Sequence, residues 1–113
     1  MIHVYLDDWR RCPDGFVLAR NMAECLLLLE EERVGILSLD HDLGPDEPTG
    51  TELVMEMVRR GLYPEKEIYL HTSCPEGRQR MYQQLYKHKP DSVKLHNGPM
   101  GWDTLERVRL ETQ

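Results

Sequence analysis

Short apolar runs alternate with amphipathic stripes from one end of this chain to the other. That alternation is what most limits its possible folds. Ile2 to Leu6 is β-branched and apolar and reads as a first strand, and Phe16 to Ala19 as a second, entered through the turn signal Pro13-Asp14-Gly15. Asn21 with Glu24 three residues on forms a capping-box pattern, followed by Met22, Cys25, Leu26 and Leu29 on one helical face. Val34 to Leu39 is a third, continuously apolar strand. Thr49 and Glu52 repeat the capping pattern before a helix burying Leu53, Val54, Met57 and Val58 and stopping at Gly61. Ile68 to Leu70 is a fourth strand. Ser73, Pro75 and Glu76 open a helix carrying Met81 and Leu85, with Ser73 as its expected cap. Ser92 to Leu95 is a short fifth strand and Trp102 to Leu110 a closing helix.

Strands alternating with helices imply an α/β fold with a mostly parallel sheet and right-handed crossovers. Only about nine residues separate the first two strands, fewer than the dozen or so that a helical crossover needs, so the first helix is expected to be reduced or absent. At 113 residues the chain has room for one core, and 1–113 reads as a single domain.

The strand ends carry the chemistry. Asp7 and Asp8 end the first strand, and Asp40-His41-Asp42 ends the third. Open α/β sheets bind ligands at the carboxyl ends of their strands. Carboxylates brought together repel unless a cation lies among them, and oxygen ligands suit Mg²⁺ or Mn²⁺. Asp7, Asp8, Asp40 and Asp42 are therefore the expected metal ligands. One aspartate alone would be explained as a turn cap; a pair and an Asp-x-Asp at two strand ends argue for a shared site. His41 and His71, each at a strand end, suit proton transfer near neutral pH and are expected to be catalytic together with Asp40. Arg10, Thr72, Ser73 and Arg78 are expected to hold a phosphate, the last three at a helix N-terminus. Cys74 shares that helix start, where a thiol can be activated, but no basic partner stands beside it in the sequence.

Charge sets limits on partners. The net charge is -6, with 20 acidic against 14 basic residues, which argues against a grip on duplex nucleic acid. A small phosphorylated ligand or nucleotide needs only two or three local arginines. No apolar run reaches membrane-spanning length and no signal-peptide pattern opens the chain. Three cysteines without Cys-x-x-Cys spacing suit a reducing, cytoplasmic setting.

These blocks, in this order, resemble a response-regulator receiver domain. Asp7 and Asp8, Asp40, and Thr72 or Ser73 stand at that family's strand-end positions, and Lys94 at its fifth-strand lysine, without the Pro that follows there. The chain is more similar still to the cyclic-phosphate-processing receiver-like domains. It shares Leu6-Asp7-Asp8-x-Arg10 with Pro13 and Gly15, then Ser38-Leu39-Asp40-His41-Asp42-Leu43-Gly44. Thr49-Gly50 and His71-Thr72-Ser73-Cys74-Pro75-Glu76-Gly77-Arg78-x-x-Met81 follow, with Cys74 where that group carries Asn. The resemblance implies a three-layer flavodoxin-like sandwich with sheet order 2-1-3-4-5, in which His41 and His71 approach each other from neighbouring strands. It also implies the processing of a small cyclic phosphate from RNA-repair or nicotinamide-nucleotide metabolism. The resulting expectation is a metal-assisted phosphoesterase. Its rivals are a signalling module phosphorylated on Asp40 and a cyclic-nucleotide sensor without turnover.

Overall fold

The computed structural model describes residues 1–112; the last residue of the expected domain, Gln113, lies outside the described residues. The strands are β1 (Ile2–Leu6), β2 (Val17–Ala19), β3 (Val34–Leu39), β4 (Glu67–Leu70) and β5 (Lys94–Leu95). They form one sheet in the order β2-β1-β3-β4-β5, every neighbouring pair parallel. The helices are α1 (Met22–Glu31), α2 (Gly50–Arg60), α3 (Pro75–His88) and α4 (Trp102–Glu111). No helix joins β1 to β2, as the short spacing between them requires. None of the described helices is long and apolar enough to cross a membrane.

Local chemistry sets the helix ends. Thr49 and Glu52 form the full reciprocal box at the start of α2, and Gly61 closes that helix at φ 69°, where a Cβ would be strained. The first box is only half made. The Asn21 side chain caps Glu24, but the Glu24 carboxylate accepts from the Arg20 N–H instead of that of Asn21. At α3 the cap is Cys74, whose thiol sulfur accepts from Gly77 N at 3.4 Å. Ser73 is displaced from the expected capping role because the helix begins one residue later, at Pro75, whose fixed φ suits a first helical position.

The absent crossover helix makes the two faces of the sheet unequal. Val4, Leu6, Leu37, Leu39, Ile68 and Leu70 point to one face, where α1, α2 and α3 cover them in a single core. Full burial of one such leucine contributes roughly 1.5–3 kcal/mol. Ile36 and Tyr69 point to the opposite face, packed against Val108 of α4 with Phe16 and Met100 at its margin.

Candidate active site at the carboxyl edge of the sheet

Strand register builds the site. Tyr5, Ser38 and Tyr69 lie side by side across β1, β3 and β4, and so do Leu6, Leu39 and Leu70 one step on. The next row is Asp7, Asp40 and His71. The Asp40 N–H donates to Leu6 O at 3.2 Å and the His71 N–H to Leu39 O at 3.0 Å, so the ladder continues through that row. Since side chains alternate between faces, this row returns to the side of Tyr5 and Ser38. Ligand atoms of Asp7, Asp40 and His71 lie within 4.8 Å of one another.

Arg10 closes the group. Its Nη1 donates to Asp7 Oδ2 at 3.0 Å and to Asp40 Oδ2 at 3.1 Å, and its Nη2 reaches Ser73 Oγ at 3.4 Å. Asp7 Oδ1 accepts from the backbone N–H groups of Trp9 and Arg10, at 2.9 and 2.8 Å, which pins the turn after β1. Burial works to raise the Asp7 carboxyl. The N–H groups of Arg10 and Trp9, the Arg10 guanidinium and His71 outweigh it and hold Asp7 below the ordinary carboxylate value.

His71 is enclosed, with 5% of its side chain exposed. Its ring stacks on Tyr5 at 4.2 Å and 4°. Burial pushes the imidazole below 6.5 against the pull of Asp7 and Asp40, so it is neutral at pH 7. Facing an ionised carboxylate oxygen at 3.0 Å, Nε2 carries the proton and donates it to Asp7 Oδ2. Nδ1 is left to accept from Ser38 Oγ, 2.6 Å away. The same enclosure raises the Tyr5 hydroxyl to about 12, through burial and the charge of Asp7. Ser38 and Tyr5 were not singled out as site residues by sequence reasoning, although a two-residue period read outward from Asp7 and Asp40 points to both.

The row opens on a cleft of about 770 Å³ lined by Asp7, Asp8, Trp9, Arg10, Asp40, Asp42 and the segment 72–74, with Gly44 and Pro45. Thr72 lies in its wall, but its Oγ1 accepts from Cys74 N at 3.1 Å and so holds the turn. Ser73 is exposed at its edge. Two expected members stand elsewhere. His41 follows Asp40 by one residue and points to the other face of the sheet. Its Nδ1 pairs with Thr51 Oγ1 at 2.8 Å, and its ring lies over Gly77, where any Cβ would collide with the imidazole. The two histidines therefore turn to different partners instead of approaching each other. Arg78 is half-buried, one turn into α3, and does not line the cleft.

Charge is the basis for weighing a cation. Asp7, Asp8, Asp40 and Asp42 surround the cleft with four carboxylates against the single guanidinium of Arg10. Asp7 and Asp40 are engaged by internal donors, whereas Asp8 and Asp42 are exposed, Asp42 Oδ1 accepting only a 3.2 Å bond from Gly44 N. An acidic excess of oxygen donors, part of it open to water, fits a hard divalent cation that keeps several waters. Asp8 and Asp42 stand outside the group whose atoms converge, so they fit as outer or water-bridged partners.

A family model described as the cyclic-phosphate processing receiver domain matches residues 2–87. Among solved structures, the chain is similar to a CheY-like response regulator receiver domain protein from Methanospirillum hungatei JF-1. The likeness has 20% identity and a TM-score of 0.51 and covers 98% of this chain and 94% of that one. No curated protein matches the sequence.

Proposed function

As the chain belongs to the cyclic-phosphate processing receiver domain family, we propose that it is a phosphoesterase acting on a small cyclic phosphate of nucleotide origin. One observation carries the reading: a buried Asp7–Asp40 pair bridged by Arg10, backed by a neutral histidine and open to a cleft. A phosphoacceptor site needs a carboxylate but has no use for a histidine locked behind it.

In this reading the ligand's phosphate lies against Arg10 and Ser73, where the guanidinium neutralises charge developing on the phosphoryl oxygens. Asp40, at the cleft wall, takes the proton of the attacking water as the ring P–O bond breaks, and returns it to the leaving ring oxygen. Before a cation enters, Asp7 holds Arg10 beside the cleft, and His71 acts through Asp7: its Nε2–H holds the carboxylate ionised and in place, while Ser38 fixes the tautomer. His71 is thus a positioning residue, in place of the proton donor that the sequence led us to expect, and His41 braces α2 against α3. A divalent cation, Mg²⁺ or Mn²⁺, would be held by Asp7 and Asp40 with Asp8 and Asp42 as outer partners. When bound it would polarise the phosphoryl group.

The test is a panel of nucleosidic and ADP-ribose-derived cyclic phosphates incubated with and without Mg²⁺ or Mn²⁺. We expect ring opening of at least one member. Binding without any turnover over hours would remove the enzyme and leave a sensor. A second reading, a phosphorylated signalling module, is favoured by the place of Asp40 at the end of β3 in a receiver fold. A stable mass adduct on Asp40 after treatment with a small-molecule phosphodonor would decide for it.

A further inference from the structure

We propose that Arg10 is a built-in competitor for the cation position: its guanidinium occupies the Asp7–Asp40 pair in the metal-free protein and must swing out when a divalent ion enters. The inference rests on the reading that the acidic cleft takes such an ion.

The geometry is exclusive. One nitrogen, Nη1, sits at 3.0 and 3.1 Å from an oxygen of each carboxylate, so the guanidinium already bridges the pair as a metal would. A divalent ion bound to those oxygens would lie in contact with a fixed positive charge in a half-buried setting, where screening is weak. Guanidinium and metal therefore exclude each other.

The arginine is also built to leave. Its side chain is 34% exposed, so solvent lies beside it. Its backbone is held by the bond from its own N–H to Asp7 Oδ1 at 2.8 Å, and displacement needs only side-chain rotation. Its remaining contact, to Ser73 Oγ at 3.4 Å, is long and gives up little. A swung-out Arg10 stays tethered at the cleft rim beside Ser73, in reach of an anionic ligand.

The probe is Mn²⁺ alone, titrated calorimetrically into the wild-type protein and into Arg10→Gln, Arg10→Lys and the double variant Arg10→Gln/Asp40→Asn. Thermal unfolding of each identifies any that is not folded. Arg10→Gln keeps length and a donor but removes the charge, and it should bind Mn²⁺ about tenfold more tightly than wild type. Arg10→Lys should fall between the two, and the double variant should lose the gain. Equal or weaker Mn²⁺ binding by Arg10→Gln overturns the competition while leaving the metal in place. Absence of Mn²⁺ binding in both proteins overturns the competition and the metal together, whatever the outcome of the cyclic-phosphate panel.

Discussion

The same four-residue arrangement occurs twice around this sheet. Tyr5, His71, Asp7 and Arg10 form one copy; Tyr69, His96, Glu67 and Arg107 form the other. In each a tyrosine and a histidine stack at 4°, with centroids 4.2 and 4.1 Å apart. In each the histidine Nε2 lies 3.0 Å from an oxygen of a carboxylate that an arginine also approaches, at 3.0 Å and on the same oxygen in the first, at 3.5 Å and on the other oxygen in the second. Their surroundings differ. The His71 side chain is 5% exposed and both its ring nitrogens are bonded, whereas His96 is 39% exposed. The first copy sits in the row past the strand ends and opens on the cleft. The second sits at Glu67, the first residue of β4. Residue types alone do not separate a site from a surface cluster; enclosure and position along the strand do.

The largest expected difference is in turnover. Asp40→Asn, beside the first copy, should lower cyclic-phosphate hydrolysis by roughly 10²–10⁴-fold, while Glu67→Gln in the second leaves it within about a factor of two. Comparable losses from both, in steady-state kinetics, would break the distinction.

Stability should separate them next. Asp7→Ala strands Arg10, His71 and two backbone donors around a side chain with no solvent exposure, and should cost about 3–5 kcal/mol. Glu67→Ala breaks a half-open cluster and should cost about 1 kcal/mol. Urea denaturation of the two variants measures both.

Their pH responses fall in different windows. His71 is held below 6.5, so as pH drops beneath that value the unfolded chain takes up a proton that the folded one resists, and stability declines. His3, lowered by its own burial, adds to the same window. Burial works to raise Glu67, but His96 and Tyr69 hold it below 4.5; its contribution is complete above that value and is lost as pH falls through its folded value. His71→Asn should therefore flatten, without abolishing, the fall in urea midpoint between pH 7 and 5. Glu67→Gln should change the profile only at lower pH.

The smallest test concerns the stacked tyrosines. Tyr69 Oη donates to Glu67 Oε1 at 3.1 Å, so Tyr69→Phe should cost about 1 kcal/mol. The Tyr5 hydroxyl makes no hydrogen bond among the described residues, and Tyr5→Phe should shift the melting temperature hardly at all.

Much of this was legible in the chain. Apolar runs placed β1, β3 and β4 closely, because a buried strand must be continuously apolar or alternate strictly. The boundaries were less exact: β2 begins at Val17, with Phe16 left at the margin of the smaller cluster, and β5 shrinks to Lys94–Leu95. Asp7, Asp40 and His71 were found because residues at the ends of neighbouring parallel strands meet wherever the register is level. The placing of His41 failed for a reason also in the sequence. It follows Asp40 by one residue, and a strand turns consecutive side chains to opposite faces.

The sequence by itself determined the alternation of strands and helices, the missing first crossover, the α2 cap and stop, and the acidic strand ends. All of these are local, set by spacing, side-chain period or backbone preference. Only the tertiary structure decided that Arg10 lies between two carboxylates thirty-three residues apart in the chain, that His71 is walled in and neutral, and that Cys74 instead of Ser73 caps α3. The first two depend on which groups share a low-dielectric space, and the third on the residue at which the chain leaves β4 and starts to coil. Such choices follow from packing across the sheet, which no window along the chain contains.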